Sequence, residues 1–230
     1  MKKKNCIKGF IVWLLAAGMF CSCQTINKEV VPGELRTEYL SGPIGLDTPS
    51  PRFTWNFSPS QKEFSQSYYQ IHVATSAGLL GKADVWNSDK QEGTLPFARY
   101  TGTTPLESHR MYYWNVTVWD ASGRKTSTSQ TATFEMAKIN PSDWQAKWIT
   151  DKQDKEFEPA PLFRKTFSAK KPIASARAYI SAAGYAELFI NGKRVGENFL
   201  DPGYTHFDKR LLYVTHDITP LLTQGENAVG

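Results

Sequence analysis

Cysteine is missing from almost the whole sequence. The 230 residues contain three cysteines, Cys6, Cys21 and Cys23, and none follows Cys23. The rest of the chain therefore cannot form a disulfide framework or a cysteine-based zinc site. The folded part must be held together by packing alone.

An excess of one charge sign is also missing once the N-terminus is set aside. The sequence has 27 Lys+Arg against 22 Asp+Glu, a formal net charge of +5. Lys2, Lys3, Lys4 and Lys8 supply four of the positive charges, which leaves 23 cations against 22 anions. This balance gives no support for a nucleic-acid partner, and we expect none.

The chain has no apolar run long enough to cross a bilayer. The run from Gly9 to Phe20 would extend about 18 Å as a helix, against about 30 Å of hydrocarbon. A basic start followed by a short apolar run is typical of an export signal rather than a permanent anchor. We predict a lipoprotein-type signal peptide over residues 1–22.

Cys23 is the predicted lipidation site. Small Ser22 precedes it and polar Gln24 follows it, as in a lipidated bacterial cysteine, and ordinary signal-peptide cleavage is the alternative. The segment Gln24–Lys28 carries no acidic run that would direct the protein to the cell surface. We therefore expect an exported, periplasmic protein, anchored by lipid to the membrane, with residues 23–33 as a tether.

Recognisable catalytic motifs are absent as well. The sequence has no glycine-rich phosphate loop, no His-Glu-x-x-His and no nucleophile elbow. The four histidines, His72, His109, His206 and His216, share no metal-ligand spacing. No catalytic residue is predicted in this chain.

What is present is a series of short β-strand patterns over residues 34–137. In the clearest strand, Met111–Trp119, Tyr112, Trp114, Val116 and Val118 share one face. About 100 residues of such strands with turn signals predict an all-β, immunoglobulin or fibronectin III-like sandwich. The predicted strands are 35–40, 52–57, 68–74, 110–119 and 131–136.

A second β pattern covers residues 142–230. Strands are predicted at 162–167, 176–182 and 185–190, and Asn191-Gly192 is a strong hairpin signal. Asp217–Leu222 is predicted as a helical turn and 224–227 as a turn. Residues 228–230 then begin a strand, so we expect an incomplete domain that belongs to a longer protein and is partly disordered.

Candidate ligand contacts lie in the turns of this second pattern. The first interpretation is that Asn191 and Asp201-Pro202-Gly203 are turn residues. The alternative is that their oxygen atoms bind sugar hydroxyls or a calcium ion. Exposed aromatic rings can stack on sugars, whereas other tryptophans pack inside the sandwich. The stacking candidates are Trp144, Trp148, Tyr185 and Tyr204, and the packing candidates are Trp55, Trp86, Trp114 and Trp119.

A set of short motifs resembles one family in the family's own order. The motifs are Leu35–Leu40, Pro43–Asp47, Pro51–Trp55, Tyr69–Ala74, Val85–Ser88, Tyr112–Trp114, Val118–Asp120, Asp143–Ile149, Leu162–Phe167, Ala178–Ile180, Gly184-Tyr185, Asn191-Gly192, Gly203-Tyr204 and Asp217–Thr219. From Leu35 to Gly230 the chain resembles bacterial α-L-rhamnosidases of glycoside hydrolase family 78.

The resemblance implies a fibronectin-like domain followed by the start of a jelly-roll-like rhamnosidase N-terminal domain. It implies the non-catalytic part of an exported enzyme that hydrolyses terminal α-L-rhamnosyl groups of rhamnose-containing glycans with inversion. The catalytic (α/α)6 barrel is absent from this chain, so we expect the chain alone to be inactive. The alternative is a free-standing exported carbohydrate-binding or adhesion module.

The resemblance also implies a role in substrate recognition for the second domain. We expect no cofactor in catalysis, and calcium-assisted sugar binding by this domain is a hypothesis for Glu187, Asn191 and Asp201. The candidate substrate-binding residues are Tyr185, Glu187, Asn191, Asp201 and Tyr204.

Overall fold

The computed structural model describes residues 30–58, 64–151, 156 and 160–230. The predicted signal peptide, Cys23 and most of the predicted tether lie outside the described residues. In the part of the chain that is described, no helix is both long and apolar enough to pass through a membrane.

The described residues form two β units, which confirms the all-β class. The N-terminal unit contains β1 Gly33–Thr37, β2 Ile44–Leu46, β3 Arg52–Asn56, β4 Gln66–Ala74, β5 Trp86–Asn87, β6 Gln91–Glu92, β7 Phe97–Arg99, β8 Met111–Asp120 and β9 Ala132–Met136. The C-terminal unit contains β10 Lys165–Ala169, β11 Arg177–Ser181, β12 Phe189–Ile190, β13 Lys193–Arg194, β14 Tyr213–Asp217 and β15 Gly225–Val229. Short 3-10 turns occur at Ala77–Leu79, Pro141–Asp143 and Thr219–Leu221.

The N-terminal unit is a sandwich of two sheets. One sheet has the order β1-β3-β7, and the other has the order β2-β9-β8-β4-β5, with β6 also paired to β4. The predicted alternation along β8 is confirmed, because Tyr112, Trp114, Val116 and Val118, which share one face, are all at most 2% exposed. Phe53 of β3 packs on Trp114 with their ring centroids 4.7 Å apart, which joins the two sheets.

Three of the four tryptophans predicted to pack in the sandwich do so. Trp55 and Trp114 are buried, and Trp86 packs at the edge of the core. The prediction for Trp119 is wrong, because it lies five residues after Trp114 and side chains alternate across a strand. Its ring lies outside the core, under the ammonium groups of Lys90 and Lys125.

The C-terminal unit has one sheet of four strands and one of two. One has the order β10-β15-β12-β13, and the other pairs β11 with β14. Ile190, Val195 and Ile218 form its small core. The predicted hairpin is present at Asn191 and Gly192, with φ of 50° and 79°, in agreement with the preference of this dipeptide for positive φ.

The end of the chain differs from the prediction. The predicted turn at 224–227 and strand start at 228 are wrong, because β15 already begins at Gly225 and pairs with β10 over five residue pairs. Asn227, which favoured the turn, is 3% exposed, and its amide donates to the carbonyl oxygens of Thr223 and Gly225. These bonds satisfy the hydrogen-bond donors of the buried Asn227 amide, so Asn227 can lie within a strand.

Two other assignments in this unit also change. The expected strand at 185–190 is reduced to Phe189–Ile190, and a strand that the sequence pattern did not indicate, β14, pairs with β11. The predicted helical turn after Asp217 is confirmed as the 3-10 turn at Thr219–Leu221.

Side chains from both units meet at a polar junction. Nε of Arg177 in β11 lies 2.9 Å and 3.1 Å from the two carboxylate oxygens of Glu135 in β9, and its Nη1 lies 2.8 Å from Asp217. Gly45 in β2, with φ of 88°, approaches Thr215 so closely that a Cβ would lie 2.5 Å from its hydroxyl oxygen. The two units are therefore in direct contact.

Candidate functional site

Two of the five predicted substrate-binding residues meet in one pocket of the C-terminal unit. Glu187 and Asp201 both line it, together with Arg194 and His216, and we call it the carboxylate pocket. The backbone N–H of Ala186 donates to the carbonyl oxygen of Asp201 at 2.7 Å, which joins the two segments. The free volume is only about 20 Å³, enough for about one water molecule.

Arg194 organises one wall of the carboxylate pocket. Its Nη1 donates to the carbonyl oxygen of Gly196 at 3.0 Å, and its Nη2 donates to that of Asn198. Nε lies 3.6 Å from a carboxylate oxygen of Glu187, whose side chain is 55% exposed. The guanidinium is thus fixed by backbone oxygens, while the Glu187 carboxylate remains accessible to a ligand.

His216 also lines the carboxylate pocket. Burial lowers the pKa of its imidazole, and the nearby carboxylate of Asp201 opposes that shift. A Cβ on Gly196 would lie 3.1 Å from this ring, so glycine allows the close approach. The peptide bond between Asp201 and Pro202 is cis.

The other three predicted residues lie outside the lining of this pocket. The Asn191 amide donates to the Leu221 carbonyl and to Asn227 at 2.9 Å each, and its oxygen accepts from the Ala228 N–H at 2.8 Å. These bonds give Asn191 a structural role in the turn. Tyr185 and Tyr204 are 55% and 73% exposed, each near a pocket segment in the sequence.

The described residues do not form an evident metal site. Within 30–58, 64–151, 156 and 160–230, no three His, Asp or Glu side chains cluster as metal ligands would. Calcium takes six to eight oxygen ligands, whereas the carboxylate pocket has two carboxylates beside the Arg194 cation. The pocket therefore does not fit calcium.

A larger cavity lies between the two units. This junction cleft has a volume of about 330 Å³ and is lined by His109, Lys138, Asp143, Trp144 and Tyr179, with Gln145 and Ala146 at its side. Trp144 was one of the stacking candidates, whereas Trp148, another, is 66% exposed outside the cleft. The sequence did not indicate the other four residues as parts of one site, because Tyr179 reaches the rest only through the contact between the units.

Hydrogen bonds hold the polar lining of the junction cleft in place. The 3-10 turn at Pro141–Asp143 places Trp144, and the Asp143 carboxylate accepts from the Ser108 hydroxyl at 2.5 Å and the Asn140 N–H at 2.9 Å. The Ser108 bond is the main reason that the pKa of Asp143 lies below its usual range. Nδ1 of His109 lies 2.9 Å from the Tyr179 hydroxyl.

The two units match two family profiles in sequence order. Residues 32–140 match the Rha78A-like, N-terminal immunoglobulin domain. Residues 171–230 match the alpha-L-rhamnosidase N-terminal domain. The junction cleft includes residues from both matches and from the segment between them.

Curated relatives and solved structures agree with these profiles. An alpha-L-rhamnosidase of Formosa agariphila is 35% identical over 94% of this chain and 26% of its own length. One from an Alteromonas species is 33% identical over 96% of this chain and 25% of its own length. The chain therefore spans about a quarter of these relatives.

The fold agrees with solved α-L-rhamnosidases. The structure from Dictyoglumus thermophilum aligns with a TM-score of 0.79 and 35% identity, over 86% of this chain and 24% of that one. The structure from Aspergillus terreus aligns with a TM-score of 0.71 and 27% identity, over 87% of this chain and 23% of that one. The chain belongs to the α-L-rhamnosidase family, of which it carries the N-terminal immunoglobulin-like and rhamnosidase N-terminal domains.

Proposed function

We propose that this chain is the non-catalytic N-terminal region of an exported α-L-rhamnosidase. The observation that carries the proposal is the presence of both N-terminal domains in order in a chain that spans about a quarter of its relatives. The whole enzyme would remove terminal α-L-rhamnosyl groups from rhamnose-containing glycans with inversion. A free-standing sugar-binding or adhesion module is the second candidate, and the enzyme assay separates the two.

The catalytic acid and base would lie in a part of the enzyme outside residues 1–230. Inverting glycosidases use an acid and a base about 6.5–9.5 Å apart, with a water between them. In the carboxylate pocket, a free volume of about 20 Å³ does not admit a sugar and an attacking water together. The chain alone is then inactive as a hydrolase.

The assay compares this chain with the product of the intact gene. The reading frame beyond codon 230 is determined first, and both polypeptides are incubated with p-nitrophenyl α-L-rhamnoside. We expect nitrophenol from the gene product and none from residues 1–230. A stop codon directly after Gly230, or nitrophenol release by the short chain, would contradict the proposal.

We further propose that the surface around the carboxylate pocket contacts the substrate sugar. The pocket is too small to enclose a sugar ring, but the accessible Glu187 carboxylate lies at it and can accept hydrogen bonds from hydroxyls. Tyr185 and Tyr204 offer exposed rings for stacking. Asp201 lines the same pocket and belongs to the proposed contact surface. Asn191 contributes indirectly, because its side-chain hydrogen bonds fix the turn.

Titration of L-rhamnose into the chain, followed by NMR, tests this surface. We expect chemical-shift changes at Glu187 and its neighbours that Glu187→Gln weakens severalfold. Glu226→Gln, on an exposed strand residue outside the pocket, serves as the matched control and leaves the titration unchanged. No shift change at Glu187, or equal effects of the two variants, would show that rhamnose does not bind at this surface.

Export and lipid anchoring are proposed from the N-terminal sequence. The basic, apolar start and the position of Cys23 after Ser22 support them. Labelling of cells with a radioactive fatty acid should mark the wild type and Cys21→Ser, but not Cys23→Ser. Retention of the label in Cys23→Ser would exclude lipidation at this residue.

A further inference from the structure

We propose that the junction cleft binds a saccharide that carries a carboxylate, such as a uronic acid unit of a glycan chain. This inference deepens the proposed function, because it rests on the protein's acting on glycans and adds the chemical class of a neighbouring sugar. The site is separate from the carboxylate pocket, which lies within the C-terminal unit alone.

The size and place of the cleft favour a ligand. Its volume of about 330 Å³ falls within the range of about 300–1,000 Å³ that is common for small-ligand sites, which prefer domain junctions. The carboxylate pocket, at about 20 Å³, has room for water alone. Of these two cavities, only the junction cleft has the volume for a sugar ring.

Aromatic rings line the cleft and are held in position. Trp144 packs edge-on against Tyr213, with centroids 5.2 Å apart and an angle of 80° between the rings. Tyr179 packs edge-on against His109 at 5.1 Å and contacts Tyr213 at 6.3 Å. Such fixed rings can cover the C–H face of a sugar without a large loss of side-chain entropy.

An ammonium group among the rings of the cleft favours an acidic sugar over a neutral one. The Lys138 ammonium lies 5.0 Å from the Trp144 ring centroid and 4.9 Å from that of Tyr179. In the part of the chain that the structure describes, it donates one hydrogen bond, to the Asp143 carbonyl oxygen at 2.6 Å. An ammonium has three donors, so two remain for a ligand carboxylate.

The carboxylate of Asp143, the one carboxylate among the described lining residues, accepts no hydrogen bond from the Lys138 ammonium. Oδ2 of Asp143 already accepts from Ser108 and Asn140, and Lys138 contacts the backbone oxygen of that residue rather than its carboxylate. A ligand carboxylate that accepts from Lys138 would form a charge-assisted bond, which is about twice as strong as a neutral one. The Lys138 charge helps to lower the pKa of Asp143, but it makes no direct bond to that carboxylate. The same ring-lined cleft thus offers a stacking surface and an ammonium with donors left for a ligand.

Calorimetric titration of the 230-residue chain with α-1,4-linked trigalacturonate tests the inference. Its fully methyl-esterified form is the matched ligand, since it keeps the sugar rings and removes the charge. We expect the acid to bind at least tenfold more tightly than the ester, and to bind more weakly as salt is raised. L-Rhamnose should not compete for the cleft.

Variants then locate the binding. Lys138→Met should weaken trigalacturonate at least tenfold, and Trp144→Ala should weaken both the acid and the ester. Lys147→Met and Trp148→Ala change the same residue types on exposed positions beside the cleft and should leave binding unchanged. Trp144→Phe keeps a stacking ring and should retain most of the affinity.

Several results would overturn the inference. These are equal affinity for acid and ester, competition by sodium acetate at the concentration of the sugar acid, no effect of Lys138→Met, or no heat of binding at millimolar ligand. The comparison of acid with ester uses the wild type, so an unfolded variant does not affect it. Rhamnoside hydrolysis by the intact gene product is measured separately, so a failure of the cleft and a failure of the proposed function are told apart.

Discussion

The ion pair between the two units allows a quantitative test of how they are held together. Arg177 is 14% exposed and Glu135 is 7% exposed, whereas Asp217, the second partner of Arg177, is 48% exposed. Removing one member of a buried ion pair costs about 3–5 kcal/mol, because the other charge is left without its partner. Glu135→Gln and Arg177→Met each remove one member.

The two substitutions should differ in cost. In Glu135→Gln the guanidinium retains Asp217 at 2.8 Å, so we expect a loss of about 2–3 kcal/mol. In Arg177→Met the Glu135 carboxylate is left buried without its cation, and we expect about 3–4 kcal/mol. Because the residues are in contact, the double variant should fall short of the sum by about 2 kcal/mol.

Urea unfolding followed by tryptophan fluorescence measures these differences. The matched control is Glu107→Gln, which breaks the exposed pair with Arg110, whose side chains are 64% and 43% exposed. We expect the control to cost no more than about 0.5 kcal/mol. Equal costs for Glu135→Gln and Glu107→Gln, or strictly additive effects in the double variant, would show that this ion pair does not hold the two units together.

Three further predictions concern the core, the backbone and pH. Trp114→Ala removes a side chain with no exposed surface and should destabilise the N-terminal unit by about 3–5 kcal/mol, seen as a lower urea midpoint. Gly45→Ala should cost more than Gly123→Ala, because both have positive φ but only at Gly45 would a Cβ overlap a neighbour, Thr215; equal costs would contradict this. Burial lowers the pKa of His216, so its contribution to stability is present above pH 6.5 and lost as the pH falls; His216→Gln should flatten the dependence between pH 5.5 and 7.5, and an unchanged slope would contradict it.

The parts of the fold that sequence could predict are those set by local patterns. Alternation along β8 correctly placed Tyr112 and Trp114 on one face, which the structure buries, because side chains on a strand alternate strictly. Asn191-Gly192 gave the correct hairpin because few dipeptides tolerate positive φ at both positions. Both signals depend on neighbours in the sequence.

The parts that could not be predicted depend on contacts between distant residues. Asn227 favours turns by itself, yet its bonds with Thr223 and Asn191 allow it to lie inside β15. Lys138 and Tyr179 meet only because the two units pack together. The sequence therefore indicated one of the cleft residues, Trp144, as a stacking candidate, and none of its polar partners.

We propose that this chain belongs to an enzyme that cleaves α-L-rhamnosides but does not itself perform the cleavage. Proton NMR of an α-L-rhamnosyl disaccharide, recorded during incubation with the intact gene product and separately with residues 1–230, tests both halves at once. We expect β-L-rhamnose to appear first with the gene product and the disaccharide to stay intact with the short chain. Hydrolysis by the short chain, or none by the gene product, would contradict the proposal.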